Sequence, residues 1–485
     1  MLVPQCPLCH GTERYYSFLL GDERFDQCRG CGLLSHQAEK GPAEGASVDH
    51  PPPGGPADSG LVAKVLSFLE QYAGAGGRRL GLAGEGSSHF GEEASRRGFA
   101  TEVLDEHSSH SSPYDLVVVD RILENTMEPA AFMEALRERV RPGGVVCLLS
   151  RQLLKVGGPM AAGRILGQRQ RYSFSDLNLQ TLMWKAGFTD VVLRHLMDPV
   201  DRLREEGWFR DHAAVCGRWS GLRTVPRLSV VLPVYNEAKT VRRVLEALDS
   251  KKIPGMEIEV VVVESHSTDG SREIVAEYER RPGFQVVYQD QPRGKGFAVR
   301  EGLGRVTGEI VLIQDADLEY DFLDYEMLLS PILSGRTAFV LGSRHAGDWK
   351  IRRFGRHFLA DAMNLGHWGL VWLINRLYGQ AMTDPFTMYK VFRKDCLYGM
   401  DFECDRFDFD LELVCKLLQK GYTPLEIPVN YQARSFAEGK KVRIVRDPVT
   451  WLKAILKYRF ASSSVDTPAQ VRPALAPQDR EGTPR

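Results

Sequence analysis

The chain lacks an excess of charge of either sign, because 62 Lys and Arg residues stand against 63 Asp and Glu, a formal net charge of −1. This balance excludes attraction of the whole chain to nucleic acid as a basis for function. The chain also lacks an apolar run of about 18 residues, which a membrane-spanning helix needs. Its longest apolar segment, residues 358–378, is interrupted by polar and charged residues, so we expect a soluble or interfacial helix there.

No positively charged start followed by an apolar run is present, so a secretory signal is not expected. The 9 cysteines are an odd number and too sparse for a disulfide scaffold. Five of them are scattered through apolar surroundings, as buried thiols tend to be. These features favour a reducing cytoplasm as the location of the protein.

The remaining four cysteines form two Cys-x-x-Cys pairs near the N-terminus, Cys6 with Cys9 and Cys28 with Cys31. Four thiolates at this spacing are typical of a structural zinc site, the zinc ribbon. The alternative, four thiols without a metal, leaves so short a segment with little to form a core. A closed site of four thiolates has no open coordination position, so we predict a structural Zn²⁺.

At 485 residues the chain is too long for one compact core, and its composition changes along its length. We predict an α/β protein with two doubly wound α/β domains preceded by the zinc ribbon. The predicted bounds are 1–36 for the ribbon, 37–60 for a linker rich in Pro and Gly, 61–200 for the first α/β domain, 201–226 for a connector, 227–460 for the second α/β domain and 461–485 for a disordered tail.

The second domain begins with a strand pattern at residues 228–235 (LSVVLPVY), followed by apolar residues at helical spacing from 241 to 248. The β-branched runs at 258–263 and 311–314 are typical of buried parallel strands. Strands that alternate with helices predict a doubly wound sheet, in which ligands bind beyond the carboxyl ends of the strands. Chemically capable residues follow these ends.

Asp315, Asp317 and Glu319 alternate directly after the apolar strand, and in an extended backbone they would share one face. Carboxylates are suitable ligands for a hard cation such as Mg²⁺ or Mn²⁺. Such a cation stabilises a diphosphate leaving group. A solvated acidic turn explains an isolated Asp-x-Asp equally well, so the interpretation depends on the accompanying motifs.

Those motifs occur in order: residues 230–237 (VVLPVYNE), 263–270 (VESHSTDG), 291–296 (QPRGKG), 315–319 (DADLE), 341–344 (LGSR), 383–390 (TDPFTMYK), 407–412 (FDFDLE) and 434–440 (RSFAEGK). Residues 227 to about 445 therefore resemble a family 2 glycosyltransferase of the GT-A fold, closest to the dolichyl-phosphate mannose synthase-like branch. Each motif alone has an ordinary structural explanation, such as a turn, a helix start or a solvated basic loop. Their joint order within one α/β unit favours the resemblance.

The resemblance implies an inverting transferase that moves a sugar from a nucleotide-diphosphate donor to a glycan or polyprenyl-phosphate acceptor, in cell-wall or polysaccharide biosynthesis. Glu264 stands where the family commonly has Asp, and Thr387 and Met388 replace its Ser-Gly. The resemblance also implies Mg²⁺ or Mn²⁺ at Asp315, Asp317 and Glu319, with Asp317 and Glu319 as direct ligands. The implied donor-binding residues are Pro233, Tyr235, Glu237, Glu264, Asp269, Lys295, Asp315, Arg344, Arg434 and Lys440.

A hydroxyl acceptor needs a general base, and we assign that role to Asp384, with Asp410 as the second choice. An acceptor phosphate is already ionised and needs none. The basic and aromatic stretch 451–460 could lie on an anionic membrane surface. A terminal helix packed on its own domain, with Lys side chains extending to solvent, explains the stretch equally well.

Residues 78–195 resemble a class I S-adenosylmethionine-dependent methyltransferase, through 80–87 (LGLAGEGS), 103–105 (VLD), 114–120 (YDLVVVD) and 141–144 (RPGG). The resemblance implies that Gly84, Gly86 and Asp105 bind S-adenosylmethionine. The first strand lacks the acid that usually precedes the Gly-rich loop, which leaves methyl transfer open. Three hypotheses follow: a glycosyltransferase with an inactive methyltransferase-like half, an enzyme with both activities, and a non-catalytic glycan- or nucleotide-binding scaffold.

Overall fold

The computed structural model describes residues 5–20, 23–31, 33–37, 59–73, 78–84, 87–104, 113–153, 172–195, 210–221, 225–345, 357–432 and 446–460. These residues belong to two compact units, one of Met1–Thr224 with Ser334–Arg336, the other of Val225–Leu333 with Thr337–Arg485. Four predicted site residues, most of the predicted linker and the predicted tail lie outside the described residues: Gly86, Asp105, Arg434, Lys440, residues 38–58 and residues 461–485.

The N-terminal unit combines two sheets with helices. Its strands are β1 Arg14–Leu20, β2 Glu23–Cys28, β3 Leu34–Gln37, β4 Arg79–Gly84, β5 Ala100–Val103, β6 Tyr114–Asp120, β7 Val140–Leu153, β8 Tyr172–Ser173, β9 Phe188–His195 and β10 Arg210–Trp219. Its helices are α1 Ser59–Ala73, α2 Ser87–Arg96, α3 Pro129–Glu138 and α4 Asp176–Lys185.

The segment predicted as a separate ribbon, 1–36, shares its sheet and core with later parts of the chain. Its antiparallel sheet has the order β1-β2-β3-β8, so a strand from residues 172–173 completes it. Asn178 donates from Nδ2 to the carbonyl of Cys31 at 2.8 Å, and Lys185 donates from Nζ to the carbonyl of Leu8 at 2.9 Å. The ribbon is therefore anchored on helix α4, which local cysteine spacing does not reveal.

The larger sheet of this unit has the strand order β5-β4-β6-β7-β10-β9. The first four strands are parallel, whereas β10 runs antiparallel to both β7 and β9. The structure differs here from the expected connector at 201–226, because β10 lies inside the sheet with Val215 and Cys216 fully buried. The apolar residues of this strand are few, so its sequence does not reveal a central position.

The C-terminal unit contains one sheet and most of the predicted elements. Its strands are β11 Arg227–Val234, β12 Glu257–Glu264, β13 Phe284–Tyr288, β14 Ile310–Ile313, β15 Phe339–Ser343, β16 Lys390–Arg393 and β17 Leu425–Pro428. Its helices are α5 Val241–Ser250, α6 Ser271–Ala276, α7 Lys295–Leu303, α8 Tyr325–Leu333, α9 His357–Tyr378, α10 Phe409–Gln419 and α11 Arg446–Phe460.

The sheet order is β13-β12-β11-β14-β16-β15-β17. Strands β13, β12, β11 and β14 are parallel, as the buried Val- and Ile-rich runs predict. Strand β16 departs from the doubly wound expectation, because it runs antiparallel to both β14 and β15. The mixed α/β architecture with parallel sheets is confirmed. The carboxyl ends of β11, β12 and β14 open onto one edge, and the motifs follow these ends.

Among the described residues, no helix is both long enough and apolar enough to cross a bilayer. The predicted soluble or interfacial helix at 358–378 is α9.

Candidate functional site

Strand β14 delivers the three acids to the edge of the sheet. Gln314 follows the strand, fully buried, and its Oε1 accepts a hydrogen bond from the hydroxyl of Tyr325 at 2.9 Å. The hydroxyl of Thr240 donates to the carbonyl of Ala316 at 2.8 Å. Residues 316–319 bend instead of staying extended, so the expectation that the three acids share one strand face is wrong. The bend turns Asp317 inward, with only 6% of its surface exposed.

Lys295 gathers carboxylates around its ammonium group. Its Nζ forms an ion pair with Asp315 and lies 3.3 Å from the sulfur of Met388. Burial lowers the pKa of Lys295, but Asp315, Asp410 and Asp317 outweigh burial, and the net shift is upward. We call Asp315, Asp317, Asp410 and Lys295 the lysine–acid cluster.

Two glycines permit the approach of Lys295. Gly294 has a φ of 118°, and a Cβ there would lie 2.4 Å from the carbonyl oxygen of Asp405. A Cβ on Gly296 would lie 2.5 Å from Cβ of Phe409. At Gly294, glycine is the only residue type that fits a positive φ with this crowding, and at Gly296 the crowding alone excludes a side chain. The Gly-Lys-Gly motif therefore packs the first turn of α7 tightly against residues 404–409, at the start of α10.

A second chain of contacts leads from Glu319 to Asp384. The hydroxyl of Tyr431 donates to Oε2 of Glu319 at 2.9 Å, and the guanidinium of Arg344 lies 5.3 Å from the centre of the Tyr431 ring. Arg344 donates to Asp384 from Nε and Nη2, both at 2.7 Å, and from its backbone N–H at 3.0 Å. A bidentate pair of this kind fixes the guanidinium plane.

Asp384, the residue first assigned as general base, is fully buried and held by Arg344. Burial raises the pKa of Asp384, but the guanidinium and backbone N–H of Arg344 outweigh burial and lower this pKa from 3.8 to about 2. A carboxylate with so low a pKa is a weak proton acceptor, since general bases work best near the operating pH. The geometry therefore disagrees with the assignment of Asp384 and makes it the anchor of Arg344.

Asp410, the second choice as base, belongs to the lysine–acid cluster. It lies in the first turn of α10, and its Oδ1 accepts from Nζ of Lys390 at 3.2 Å. Lys390 is fully buried and also donates to the carbonyl of Thr387. Burial lowers the pKa of Lys390, and this effect outweighs the opposing influence of Asp410. Lys390 and Asp410 therefore form an ion pair that is almost entirely shielded from solvent.

The end of β11 presents the predicted first motif. Pro233 is partly buried, Tyr235 is 39% exposed, and Asn236 has a φ of 49° at the sharp turn out of the strand. Glu237 lies beside Thr240, whose hydroxyl donates to Oε2 at 3.3 Å. Asp269 accepts from the N–H of Ala238 at 3.0 Å. Burial raises the pKa of Asp269, but the hydrogen bonds that it accepts outweigh burial and lower this pKa.

Glu264, predicted to contact the donor, is fully buried at the end of β12. Its two carboxylate oxygens accept from the N–H groups of Ser267 at 2.7 Å and His266 at 3.3 Å. Arg272 pairs with it at 3.2 Å. The side chain therefore organises its own turn, and its carboxylate faces protein N–H groups. The motif predicted the position of this turn but not what the acid contacts.

The four N-terminal cysteines converge. Their sulfur atoms all lie within 4.8 Å of one another, with Cys6 and Cys31 at 3.5 Å and Cys9 and Cys28 at 3.4 Å. In a tetrahedral site with Zn–S bonds of about 2.3 Å, the sulfurs lie about 3.8 Å apart. A Cβ on Gly30 would lie 2.9 Å from Sγ of Cys9, so glycine leaves the space that the sulfur occupies. The donor set and its spacing fit Zn²⁺.

Gly84, predicted to bind S-adenosylmethionine, ends β4 with a φ of 110°. A Cβ there would lie 1.9 Å from the carbonyl oxygen of Asp120. Close packing of two parallel strand ends explains this glycine without a ligand. Gly86 and Asp105, the other two residues predicted for this site, lie outside the described residues.

Sequence reasoning did not identify Tyr431, Lys390 or the two histidines His345 and His367 as site residues. Tyr431 lies in no motif and Lys390 ends the motif 383–390 without an assigned role, and their partners are 112 and 20 residues away. His367 lies within an apolar helix, where a histidine is usually part of the core. His345 directly follows the Gly-Ser-Arg motif, and that adjacency was the only available signal.

Comparisons with known proteins agree with these motifs. Residues 229–397 match the family model described as Glycosyl transferase family 2. The chain is 31% identical over 218 residues to the low-salt glycan biosynthesis hexosyltransferase Agl6 of Haloferax volcanii. This alignment covers 43% of this chain and 48% of that protein. It is 28% identical over 228 residues to the undecaprenyl-phosphate 4-deoxy-4-formamido-L-arabinose transferase of Edwardsiella ictaluri, covering 46% and 65%.

The chain therefore spans about half the length of the archaeal hexosyltransferase. Among solved structures, glucosyl-3-phosphoglycerate synthase of Mycobacterium tuberculosis in complex with uridine diphosphate is 20% identical, with a TM-score of 0.36, and covers 48% of this chain and 80% of that one. The family match includes Lys295, Asp315 and Asp317 of the lysine–acid cluster, whereas Asp410 lies beyond its end. Within the C-terminal unit, residues 229–397 are therefore similar to a family 2 glycosyltransferase domain.

Proposed function

We propose that the protein is an inverting glycosyltransferase that moves a sugar from a nucleotide-diphosphate donor to a glycan or polyprenyl-phosphate acceptor. The observation that carries this proposal is the lysine–acid cluster at the carboxyl ends of the parallel strands. Carboxylates of a kind that suits a hard cation lie there beside the ammonium group of Lys295, which suits a phosphate. The name of the bacterial relative includes a polyprenyl phosphate, which supports that acceptor class.

Asp317 and Glu319 are the proposed ligands of Mg²⁺ or Mn²⁺. Their oxygens suit a hard cation, and Lys295 already pairs with Asp315. The cation, when bound, stabilises the charge that develops on the diphosphate leaving group. Pro233, Tyr235, Glu237 and Asp269 form the proposed nucleoside end of the site. Arg344, held in plane by Asp384, faces the phosphates, with Arg434 and Lys440 as proposed clamps.

The experiment that tests this function is a donor screen with UDP, GDP and dTDP sugars in Mg²⁺ or Mn²⁺, with glycan and polyprenyl-phosphate acceptors. We expect one nucleotide class to be turned over and EDTA to abolish turnover. Catalysis that survives complete metal removal would contradict the metal assignment. Absence of turnover with every donor and acceptor class, in a folded protein, would favour the non-catalytic binding scaffold.

Asp410 takes the role of general base if the acceptor is a hydroxyl. We predict that Asp410→Asn lowers kcat about 10²- to 10⁴-fold with a hydroxyl acceptor, because proton removal in the transition state is lost. The KM for the donor should change little. Initial rates across pH check this prediction. The same variant should retain most of its rate with a phosphate acceptor, which is already ionised.

The N-terminal cysteines are proposed to hold one structural Zn²⁺. We predict that Cys31→Ser loses that zinc equivalent and lowers the melting temperature, because the metal replaces a core that residues 5–37 cannot build alone. Metal analysis of the purified full chain and thermal melts measure both effects. Cys404→Ser, at a partly buried thiol outside the cluster, is the control. Equal zinc content in wild type and Cys31→Ser would contradict the assignment.

Methyl transfer is the second activity proposed for the N-terminal unit, with Gly84, Gly86 and Asp105 at the S-adenosylmethionine site. Its support is the parallel β5-β4-β6-β7 part of the sheet. Calorimetric titration of the full chain with S-adenosylmethionine decides between an active and an inactive half. Binding with release by S-adenosylhomocysteine would support the activity, and absence of binding would leave this half as a scaffold.

Peripheral membrane contact is proposed for helices α9 and α11. Helix α11 exposes an apolar stripe at helical spacing, Val449, Leu452, Leu456 and Phe460, and α9 exposes Leu365 and Trp372 two turns apart. The helices are adjacent, since the hydroxyl of Tyr378 donates to the carbonyl of Ile455 at 3.2 Å. Exposed Lys453 adds positive charge to α11. Apolar residues beside basic ones fit an anionic lipid surface.

We predict that the full chain sediments with anionic vesicles more than with neutral ones, and that added salt weakens this binding. Trp372→Ser should reduce binding at least about tenfold, because burying one large apolar side chain contributes roughly 1.5–3 kcal/mol. Met327→Ser, at an exposed apolar residue on α8, should not change it. Equal sedimentation of Trp372→Ser and wild type would contradict the proposed surface.

A further inference from the structure

Two histidines and one carboxylate converge in the C-terminal unit outside the proposed Mg²⁺ or Mn²⁺ ligands. One ligand atom from each of His345, His367 and Asp384 lies within 4.8 Å of the other two. Among the described residues, this group and the four N-terminal cysteines are the sets of three or more such atoms that converge this closely. We call His345, His367 and Asp384 the histidine–aspartate cluster.

The three members come from separate elements that meet at one point. His345 follows β15, His367 lies in the middle of α9, and Asp384 lies in the loop between α9 and β16. His367 and Asp384 are buried, and His345 is partly exposed although its Nε2 is buried, so the cluster lies close beneath the surface of the described part of the unit.

Aromatic neighbours hold the two imidazoles in place. The ring of His345 lies 5.0 Å from that of Trp368, and the ring of His367 lies 5.1 Å from that of Phe386. The imidazole rings are 5.7 Å apart, centre to centre. Packing of this kind limits ring rotation, which a metal site needs so that its ligands stay oriented.

Asp384 retains capacity to bind a cation despite its pairing with Arg344. Its Oδ2 accepts two hydrogen bonds from Arg344, whereas its Oδ1 accepts one, from Nη2. A carboxylate oxygen has two lone pairs, so the hydrogen bonds among the described residues leave one on Oδ1 for a cation. Carboxylates that ligate metals are commonly oriented by such outer hydrogen bonds. Arg344 therefore provides the outer contact that positions this ligand.

We propose that His345, His367 and Asp384 bind a divalent transition-metal cation of the Zn²⁺ class. Two imidazoles and one carboxylate form a ligand set that binds such cations in preference to Mg²⁺. With bonds of about 2.0–2.1 Å, tetrahedral ligand atoms lie about 3.3 Å apart, so ligand atoms that already lie within 4.8 Å of one another need only a small adjustment to bind one cation. Three protein ligands leave one coordination position for water or another oxygen.

The cation would link this site to the transferase site through residues already described. It would bind Asp384, which holds Arg344, whose guanidinium lies over Tyr431, which donates to Glu319. It would also tie α9 to the ends of β15 and the loop before β16. The histidine–aspartate cluster shares no ligand residue with the proposed Mg²⁺ or Mn²⁺ site, and it does not depend on the donor or the acceptor.

Titration of the metal-free full chain with Co²⁺ tests the proposal, because Co²⁺ reports its ligands by absorption. With excess Mg²⁺ present to occupy the proposed site at Asp317 and Glu319, wild type should bind two equivalents of Co²⁺, one with the thiolate-to-cobalt charge-transfer bands of a cysteine site and one with only the weaker bands of nitrogen and oxygen ligands. Cys31→Ser should lose the first kind and keep the second. His345→Gln and His367→Gln should each weaken the second kind at least about 100-fold and keep the first.

His89→Ala, at an exposed histidine on α2, should keep both equivalents. His345→Gln changes a partly exposed residue, so it gives a folded variant even if the buried His367→Gln does not. In parallel, Zn²⁺ should raise the melting temperature of Cys31→Ser but not that of Cys31→Ser/His345→Gln. A single equivalent in wild type, or identical second-site spectra in His345→Gln and wild type, would overturn the proposal.

Discussion

Asp317→Asn is expected to lower metal-dependent donor turnover by at least about 100-fold at a fixed Mg²⁺ or Mn²⁺ concentration. The substitution keeps the shape of the side chain and an oxygen that can accept the 3.1 Å hydrogen bond from the N–H of Glu319. It removes the negative charge that a hard cation needs, and even contacts one shell further from a metal cost 10- to 100-fold. Initial rates measured over a range of metal concentrations check the prediction.

The matched control is Asp321→Asn, four residues further along. Oδ1 of Asp321 accepts from the N–H of Leu323 at 2.9 Å and caps a short 3₁₀ helix, a role that an amide oxygen can also fill. The turnover of Asp321→Asn should stay within about twofold of wild type, because Asp321 is not one of the proposed ligand residues. Loss of a single exposed cap costs about 1 kcal/mol of stability. Undiminished turnover in Asp317→Asn would mean that the cation, if required, is held elsewhere.

The parts of this site that the sequence predicted are those that local pattern determines. Strands β11, β12 and β14 are buried on both faces, so their sequences are continuous apolar runs, and the residues that follow them must lie at one edge of a parallel sheet. This reasoning placed Asp315 at a strand end without knowledge of any contact, whereas Tyr235 and Asp269 were predicted from the family resemblance. The two glycines beside Lys295 are also determined locally, because crowding at the backbone admits no larger residue there.

The parts that it did not predict are pairings between distant side chains. Nothing near Asp384 in the sequence indicates that Arg344, 40 residues earlier, occupies its carboxylate and lowers its pKa. In the same way, the sequence around Lys390 does not indicate that Lys390 pairs with Asp410 on α10. The partner of a buried charge decides whether that charge is a base, a ligand or an anchor, and the partner is set by tertiary structure.

The same reasoning predicts how Asp384 contributes to stability. Asp384→Asn is expected to lower the free energy of unfolding by roughly 3–5 kcal/mol, because it leaves the buried guanidinium of Arg344 without its counter-charge. The pKa of Asp384 is lowered from 3.8 to about 2 in the folded state, so its contribution to stability is present above pH 3.8 and is lost as pH falls towards 2. The difference in stability between wild type and Asp384→Asn should therefore be constant near neutral pH and shrink in acid.

Denaturant melts of the full chain, followed through the transition of the C-terminal unit, measure this difference at several pH values. Asp405→Asn is the matched control, since Asp405 pairs with Arg300 at 2.9 Å but its side chain is 39% exposed. Removing such a solvent-exposed pair should cost at most about 1 kcal/mol. If Asp384→Asn left stability unchanged but removed the acidic limb of the pH–rate profile, Asp384 would be a base and not an anchor. Loss of stability with an intact pH profile would assign proton transfer to a different group, for which Asp410 is the second proposed residue.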